Sequence, residues 1–322
     1  MASSRRTKPW SSTRMASSSV TLSVVATPEA SLVVTPAGIA AHWGIELGAS
    51  VEPLAPSRAL VLRCGAYVIR DEETSVESIQ WEHDFLGFLS PRIPEVVAPL
   101  TALDGSTFLA AGDHVVSVTP HIAAERADRS APVVRREAPR LLARLHRAAG
   151  EWPRARPRPG RPSWRELDWV TNDTWDWTVL HRTALLERAY ETSREWLASP
   201  PPLAESAVHG DFHPDNLLAS ERGIEGLIDW EFARIDWPAS DLAAAVMVLS
   251  LQRDGTIDQR IADETVAAYV DAGGLDESHA LEPLLRQVLL AVALHARTRK
   301  ATGQSWSPEF QGMLEAGLEN FV

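Results

Sequence analysis

Three polar side chains sit on two short turns with apolar flanks. Asp211 and Asn216 belong to VHGDFHPDNLL (208–218), and Asp229 belongs to GLIDWE (226–231). Apolar flanks anchor a turn in a core, which leaves its polar residues facing a common cleft. A carboxylate beside a hydroxyl, with an Asn/Asp pair beside a divalent metal, is the set that phosphoryl transfer needs. In that scheme Asp211 accepts the proton of a substrate hydroxyl, or orients it. Asn216 supplies one metal oxygen, and Asp229 supplies the others and holds the ion against nucleotide phosphates. Hard oxygen donors with no cysteine suit Mg2+. Gly210 opens a backbone conformation closed to other residues, and Pro214 excludes a helix across the turn.

Two other chemistries can be weighed against the same residues. His209 and His213 are four apart, as in helical zinc sites. Gly210 and Pro214 are incompatible with a helix there, however, and no Glu follows His209. A hydrolase triad needs a serine on a Gly-x-Ser-x-Gly elbow, and the sequence has none.

The elements that must position these turns are legible from periodicity. Residues 1–19 are Ser/Arg-rich and read as a disordered tail, with an organelle transit peptide as the other reading. From 20 to 117 the chain is β-rich. Strands are expected at Val20–Val25, around 49–70, at Val96–Leu100, at Phe108–Ala111 and at Val115–Thr119, with short helical character at Pro36–Trp43. A helix from Glu77 to Leu89 carries Ile79, Phe85, Leu86 and Leu89 at helical spacing and is closed by Pro91. Residues 123–131 read as loop and 134–149 as an amphipathic helix. Pro153–Pro162, PRARPRPGRP, is an Arg/Pro run that reads as an extended, solvated connector. Residues 163–198 read as helical and Trp-rich: Trp164, Trp169, Trp175, Trp177 and Trp196. Trp at helical spacing fills a core more often than it stacks on a ligand. The neighbouring acids Glu166, Asp168, Asp173 and Asp176 favour a cationic ligand. Three further helices are expected at about 239–252, 257–272 and 280–301, then a helical tail at 308–320.

Composition narrows the function class. The chain has 322 residues, 43 acids against 31 bases and a net charge of −12. That balance disfavours nucleic acid and anionic membranes as partners and mildly favours cationic ligands. Its length suits two lobes. Cys64 is the single cysteine, so no intramolecular disulfide and no Cys-based metal site can form, and a reducing cytoplasm fits. Cys64 lies in an apolar run and reads as a buried, inert thiol. No run is long and apolar enough for a transmembrane helix.

The spacing Asp-x4-Asn followed by an apolar-flanked Asp is that of protein-kinase catalytic and metal loops. Over residues 45–300 the chain resembles the aminoglycoside phosphotransferase / choline kinase family. The residues that carry this are HGDFHPDNLL (209–218), LIDWEFA (227–233), DWPASDLA (236–243) and LLARLHRAA (141–149). The resemblance implies an α+β, bilobal, protein-kinase-like fold: an N-lobe over 20–117, a hinge at 118–122 and a helical C-lobe over 123–322.

It also implies roles. Asp211 is the catalytic Asp, and Asn216 and Asp229 are the Mg2+ ligands. His209 braces the loop, and Asp241 holds the catalytic-loop backbone. Arg70 holds the α/β-phosphates with Glu82 as its helix partner. Val118, Pro120 and His121 form the hinge whose backbone binds the adenine edge of ATP, or the base of GTP. Two departures stand out. The usual phosphate-holding Lys is absent, since the only lysines are Lys8 and Lys300, so Arg70 takes its place with Arg63 as competitor. No Gly-rich loop lies near 47–58. Asp215 stands where the family often has Gly, which would strain that turn.

The expected function is ATP-dependent phosphorylation of a small-molecule hydroxyl. The expected acceptor is an aminoglycoside-type antibiotic or similar cationic glycoside, and the protein is a monomer or homodimer. The alternatives are a metabolic kinase of homoserine, choline or methylthioribose type, and a non-catalytic nucleotide-binding pseudokinase.

Overall fold

The first half of the chain builds a five-stranded antiparallel sheet. Its strands are β1 (Val51–Pro56), β2 (Leu60–Cys64), β3 (Tyr67–Glu73), β4 (Phe108–Ala111) and β5 (His114–Pro120), in the order β1-β2-β3-β5-β4. A computed structural model describes residues 32–48, 51–56, 59–153, 155–163, 183–301 and 308–321. The expected tail, the strand at Val20–Val25 and the tryptophans Trp164, Trp169, Trp175 and Trp177 lie outside the described residues.

Local chemistry explains the sheet. β2 turns into β3 across Gly65 at φ 64, and β4 into β5 across Gly112 at φ 65, both in the left-handed region that glycine enters without steric cost. Helix α1 (Pro36–Trp43) starts at Thr35, whose hydroxyl accepts the Gly38 amide at 3.2 Å. Its Ile39 and Trp43 fill a small core with Leu62, Cys64, Ile69, Val116 and Val118 from the sheet. The Val96–Leu100 strand does not form. Pro94 and Pro99 remove ladder donors there, and only an isolated bridge, Val96 to Leu227, remains.

Helix α2 (Val76–Leu89) is capped by Ser75, whose hydroxyl accepts the Ser78 amide at 3.2 Å. Trp81, Phe85, Leu86 and Leu89 of this helix belong to the larger hydrophobic core, not to the sheet's. Trp152 packs edge-on against Trp81 at 4.9 Å between ring centroids, and Trp230 against Phe85 at 5.8 Å. The helix inserted in the first half is therefore held by the second half of the chain.

The second half is mainly helical. It comprises α3 (Pro132–Gly150), α4 (Ala184–Leu197), α5 (Pro238–Ser250), α6 (Gln259–Asp271), α7 (Leu281–Ala301) and α8 (Pro308–Glu319). Two small sheets interrupt it. β7 (Ser206–Val208) pairs with β10 (Arg234–Asp236). β6 (Glu125–Arg126), β8 (Leu217–Ser220) and β9 (Gly223–Leu227) form the other. The stretch 123–131, expected as loop, thus contributes a two-residue strand. β8 and β9 run antiparallel with Leu217 opposite Leu227, which sets the end of one polar turn beside the start of the other.

Candidate active site

The two turns are stitched together by their own backbone. The Ile228 amide donates to the Asn216 carbonyl at 2.9 Å, so Asp229 follows directly on a link to Asn216. The side-chain amide of Asn216 donates to the Asp211 carbonyl at 2.9 Å and to Asp211 Oδ2 at 3.0 Å. The same side-chain nitrogen lies 3.2 Å from His213 Nε2.

Asp241, in the first turn of α5, fixes the Asp211 turn from beneath. Its two oxygens accept the His209 amide at 2.8 Å and the Gly210 amide at 2.9 Å. His146 Nε2 lies 3.3 Å from Asp241 Oδ2, and its Nδ1 lies 2.8 Å from the Tyr269 hydroxyl. This chain of contacts is buried throughout. Burial alone would raise the Asp241 pKa, but the His146 hydrogen bond and charge reverse that and hold it below its ordinary value. The His209 ring lies 3.0 Å from the Ile228 carbonyl and 4.6 Å from the Trp230 ring, and its pKa is lowered, chiefly by burial. Gly210 has φ 82, and a Cβ there would lie 2.2 Å from the Phe232 carbonyl oxygen. No other residue fits.

His213 sits beside the Asp211 carboxylate, its Nε2 3.2 Å from Oδ2. Burial works against both charges, yet the pair offsets it: Asp211 titrates lower than usual and His213 higher. Asp215 adopts no left-handed conformation, so the strain expected there is absent. Asp229 is the strained residue, at φ 65, the sole non-glycine positive φ among the described residues. Such a conformation costs about 1–3 kcal/mol and persists only where the surroundings hold it.

On the sheet side, Arg70 of β3 reaches Glu82 of α2, Nη1 to Oε1, at 3.2 Å. Its Nη2 is 3.1 Å from Glu72 Oε2 and 3.9 Å from Glu231 Oε2. Asp229 also acts on Arg70 electrostatically. Burial would lower the Arg70 pKa, but Glu82, Glu72 and the other acids raise it. Burial pushes Glu72 up to about 7. Arg63, the competing candidate, lies on β2 with a half-exposed side chain 3.7 Å from Glu52.

At the expected hinge β5 runs on to Pro120. The Val118 carbonyl accepts the Leu100 amide at 2.8 Å, and the His121 amide donates to the Ala66 carbonyl at 2.8 Å. Pro120 has no N–H.

The Arg/Pro run is irregular and largely exposed among its described residues, as expected, but Arg158 departs from that reading. Arg158 is 3% exposed. Its Nη2 donates to Glu82 Oε2 at 2.6 Å, Nε to the Ser78 hydroxyl at 3.0 Å, and Nη1 to the Trp230 and Ala233 carbonyls at 2.9 and 3.1 Å. Glu82 offered a signal: it lies on the apolar face of α2 beside Trp81, Phe85 and Leu86. An acid so placed needs more than one cationic partner.

The donor set fits a magnesium ion. Asn216 Oδ1 and the Asp229 carboxylate are hard oxygens of the kind Mg2+ takes. Few protein ligands, with phosphates and water completing the shell, is the Mg2+ pattern.

The model of the Phosphotransferase enzyme family, APH, matches residues 58–284, well over half of the chain. The chain belongs to this family. By sequence the chain is similar to the homoserine kinase of Gluconobacter oxydans (strain 621H), 23% identical over 222 residues, 67% of this chain and 69% of that protein. Among solved structures, amicoumacin kinase hAmiN in complex with AMP-PNP, Ca2+ and Ami superposes with a TM-score of 0.71 at 15% identity, covering 88% of this chain and 91% of that one. A microcompartment-associated aminopropanol kinase gives 0.65 at 20% identity, covering 86% and 92%. The fold is the bilobal, protein-kinase-like one, and the protein is a small-molecule phosphotransferase that acts on hydroxyl groups. No described helix is long and apolar enough to cross a membrane.

Proposed function

We propose that the protein transfers the γ-phosphoryl group of ATP, with Mg2+, to a hydroxyl of a small molecule that also carries an amine. The observation that carries this reading is the Asp211–Asn216 contact at 3.0 Å, with Asp229 one residue beyond the Ile228–Asn216 link. Asn216 Oδ1 and Asp229 would hold the metal, which would supply charge neutralisation on the transferring phosphoryl group. Arg70 supplies a further positive charge toward the phosphates. Asp211 accepts the hydrogen bond of the acceptor hydroxyl and aligns its oxygen for in-line attack; as the new O–P bond forms, the bond to the nucleotide leaving oxygen breaks and the hydroxyl proton passes to Asp211. Asp211 remains ionised near neutral pH, as an acceptor must.

The acceptor class rests on charge. The chain carries −12 overall, so an amine on the acceptor is attracted. An aminoglycoside-type antibiotic is one such acceptor. A homoserine-type amino alcohol is the second reading, favoured by the Gluconobacter oxydans relative over two-thirds of the chain. The protein acts in the cytoplasm in this reading. A phosphorylation screen by mass shift over aminoglycosides, amino alcohols and sugars, with ATP and GTP in parallel, tests it. One phosphoryl group should appear on amine-bearing acceptors and not on neutral sugars; transfer to neutral sugars alone would overturn the acceptor class.

A further inference from the structure

The loop that reads as a solvated connector joins the two halves of the catalytic machinery. Arg158 bonds α2 through Glu82 and the Ser78 hydroxyl, and it bonds the metal turn through the carbonyls of Trp230 and Ala233. The residues on either side grip the same two elements. Trp81 Nε1 donates to the Arg156 carbonyl at 2.7 Å, and Arg161 Nε donates to the Glu231 carbonyl at 2.6 Å. Glu82 is thus divided between two guanidiniums, Oε2 to Arg158 and Oε1 to Arg70. The turn bonded by Arg158 is the one that begins at Asp229, the strained residue.

We infer that Arg158 is a positioning residue for phosphoryl transfer, a clamp that fixes Arg70 through Glu82 and Asp229 through the Trp230 and Ala233 carbonyls before nucleotide binds. Arg158 itself is buried, 3% exposed, and acts through Glu82 and the metal turn. A salt bridge that served stability alone would need only Glu82; the two carbonyls on the metal turn give Arg158 its second duty. Removing it frees one oxygen of Glu82, so Arg70 gains a choice of partners, and it releases the carbonyls that keep Asp229 at positive φ. The inference rests on the phosphotransferase reading of Arg70, Asp211 and Asp229.

The test compares the full chain with Arg158→Met and Arg158→Lys. The readouts are thermal unfolding, amide hydrogen exchange without ligand, and kcat and KM for nucleotide with an acceptor from the screen. Arg158→Met is expected to unfold cooperatively and to exchange about tenfold faster at 76–89 and 228–234, with 259–271 unchanged. Its kcat should fall about a hundredfold while the nucleotide KM stays within about threefold, the mark of misplaced rather than missing groups. Arg158→Lys keeps a cation for Glu82 and recovers part of kcat. A folded Arg158→Met with wild-type kcat, a loss confined to KM, or faster exchange spread evenly over the chain would each overturn the clamp. The exchange arm needs no acceptor, so a wild-type chain that phosphorylates nothing defeats the functional reading and leaves the clamp to be decided by exchange. If Arg158→Met does not fold, Arg158→Lys and Ser78→Ala carry the same comparison, and normal exchange at both segments in both variants overturns the inference.

Discussion

Asn216 donates its side-chain amide to Asp211 Oδ2 at 3.0 Å, so the residue that would ligate the metal also aims the residue that would receive the acceptor hydroxyl. Proton handling and metal binding are therefore coupled through one side chain. Asn216→Ala should lower kcat and raise the Mg2+ concentration for half-maximal rate by about tenfold or more, because a ligand and an orienting bond go together. A metal titration of both proteins reads this. An unchanged magnesium requirement would remove Asn216 from the metal site.

Asp241 anchors the catalytic turn through two backbone amides and is buried against His146. Asp241→Ala leaves those amides and His146 without their acceptor and should cost about 3–5 kcal/mol of stability. Urea unfolding measures it. Tyr269→Phe removes only the hydroxyl at 2.8 Å from His146 and should cost about 1–2 kcal/mol.

Glu72 gives stability a pH dependence of unusual sign. Its folded pKa is raised from 4.5 to about 7 by burial, so the folded state binds its proton more tightly than the unfolded chain does. That contribution is whole below 4.5 and is lost as pH rises through 7. Glu72→Gln should therefore gain on wild type as pH rises across this window, by up to about 3 kcal/mol, with no gain at low pH. Asp241 runs the other way: its lowered pKa contributes stability above the unfolded value that is lost as pH falls. Unfolding midpoints from pH 4 to 8, on a scale of about a kcal/mol per pKa unit, separate the two.

Much of the site could be read without coordinates, and the reason lies in particular residues. Gly210 and Pro214 permit few backbone paths, so the turn that carries Asp211 and Asn216 was legible from local chemistry, except that Pro214, expected to exclude helix, instead opens a short 3-10 helix, Pro214–Asn216, since proline is compatible with a first helical position. The helix 76–89 and the hairpin at Gly65 were legible for the same reason. What escaped depends on distant contacts. Tyr269 meets His146 across 123 positions, and no local pattern marks it. Arg158 escaped because Pro and Arg in alternation describe a solvated loop on average, whereas here the loop crosses a buried acid. Val96–Leu100 escaped because its β-favouring residues outweighed two prolines in the reading and not in the fold. The strain expected at Asp215 belongs to Asp229, since a turn's dihedrals follow its hydrogen bonds and not its family position.

The central claim is that Asp211 receives the acceptor hydroxyl in a metal-dependent transfer from ATP. The most direct measurement is single-turnover phosphorylation of the acceptor identified by screening, in wild type and Asp211→Asn, with nucleotide binding measured in parallel. Asp211→Asn keeps the shape and the contact distance but loses the negative charge. The expected result is nucleotide affinity within about threefold of wild type and a transfer rate lower by about a thousandfold, within the range of a lost acid–base group. Transfer by Asp211→Asn at the wild-type rate, with nucleotide bound equally, would contradict the account.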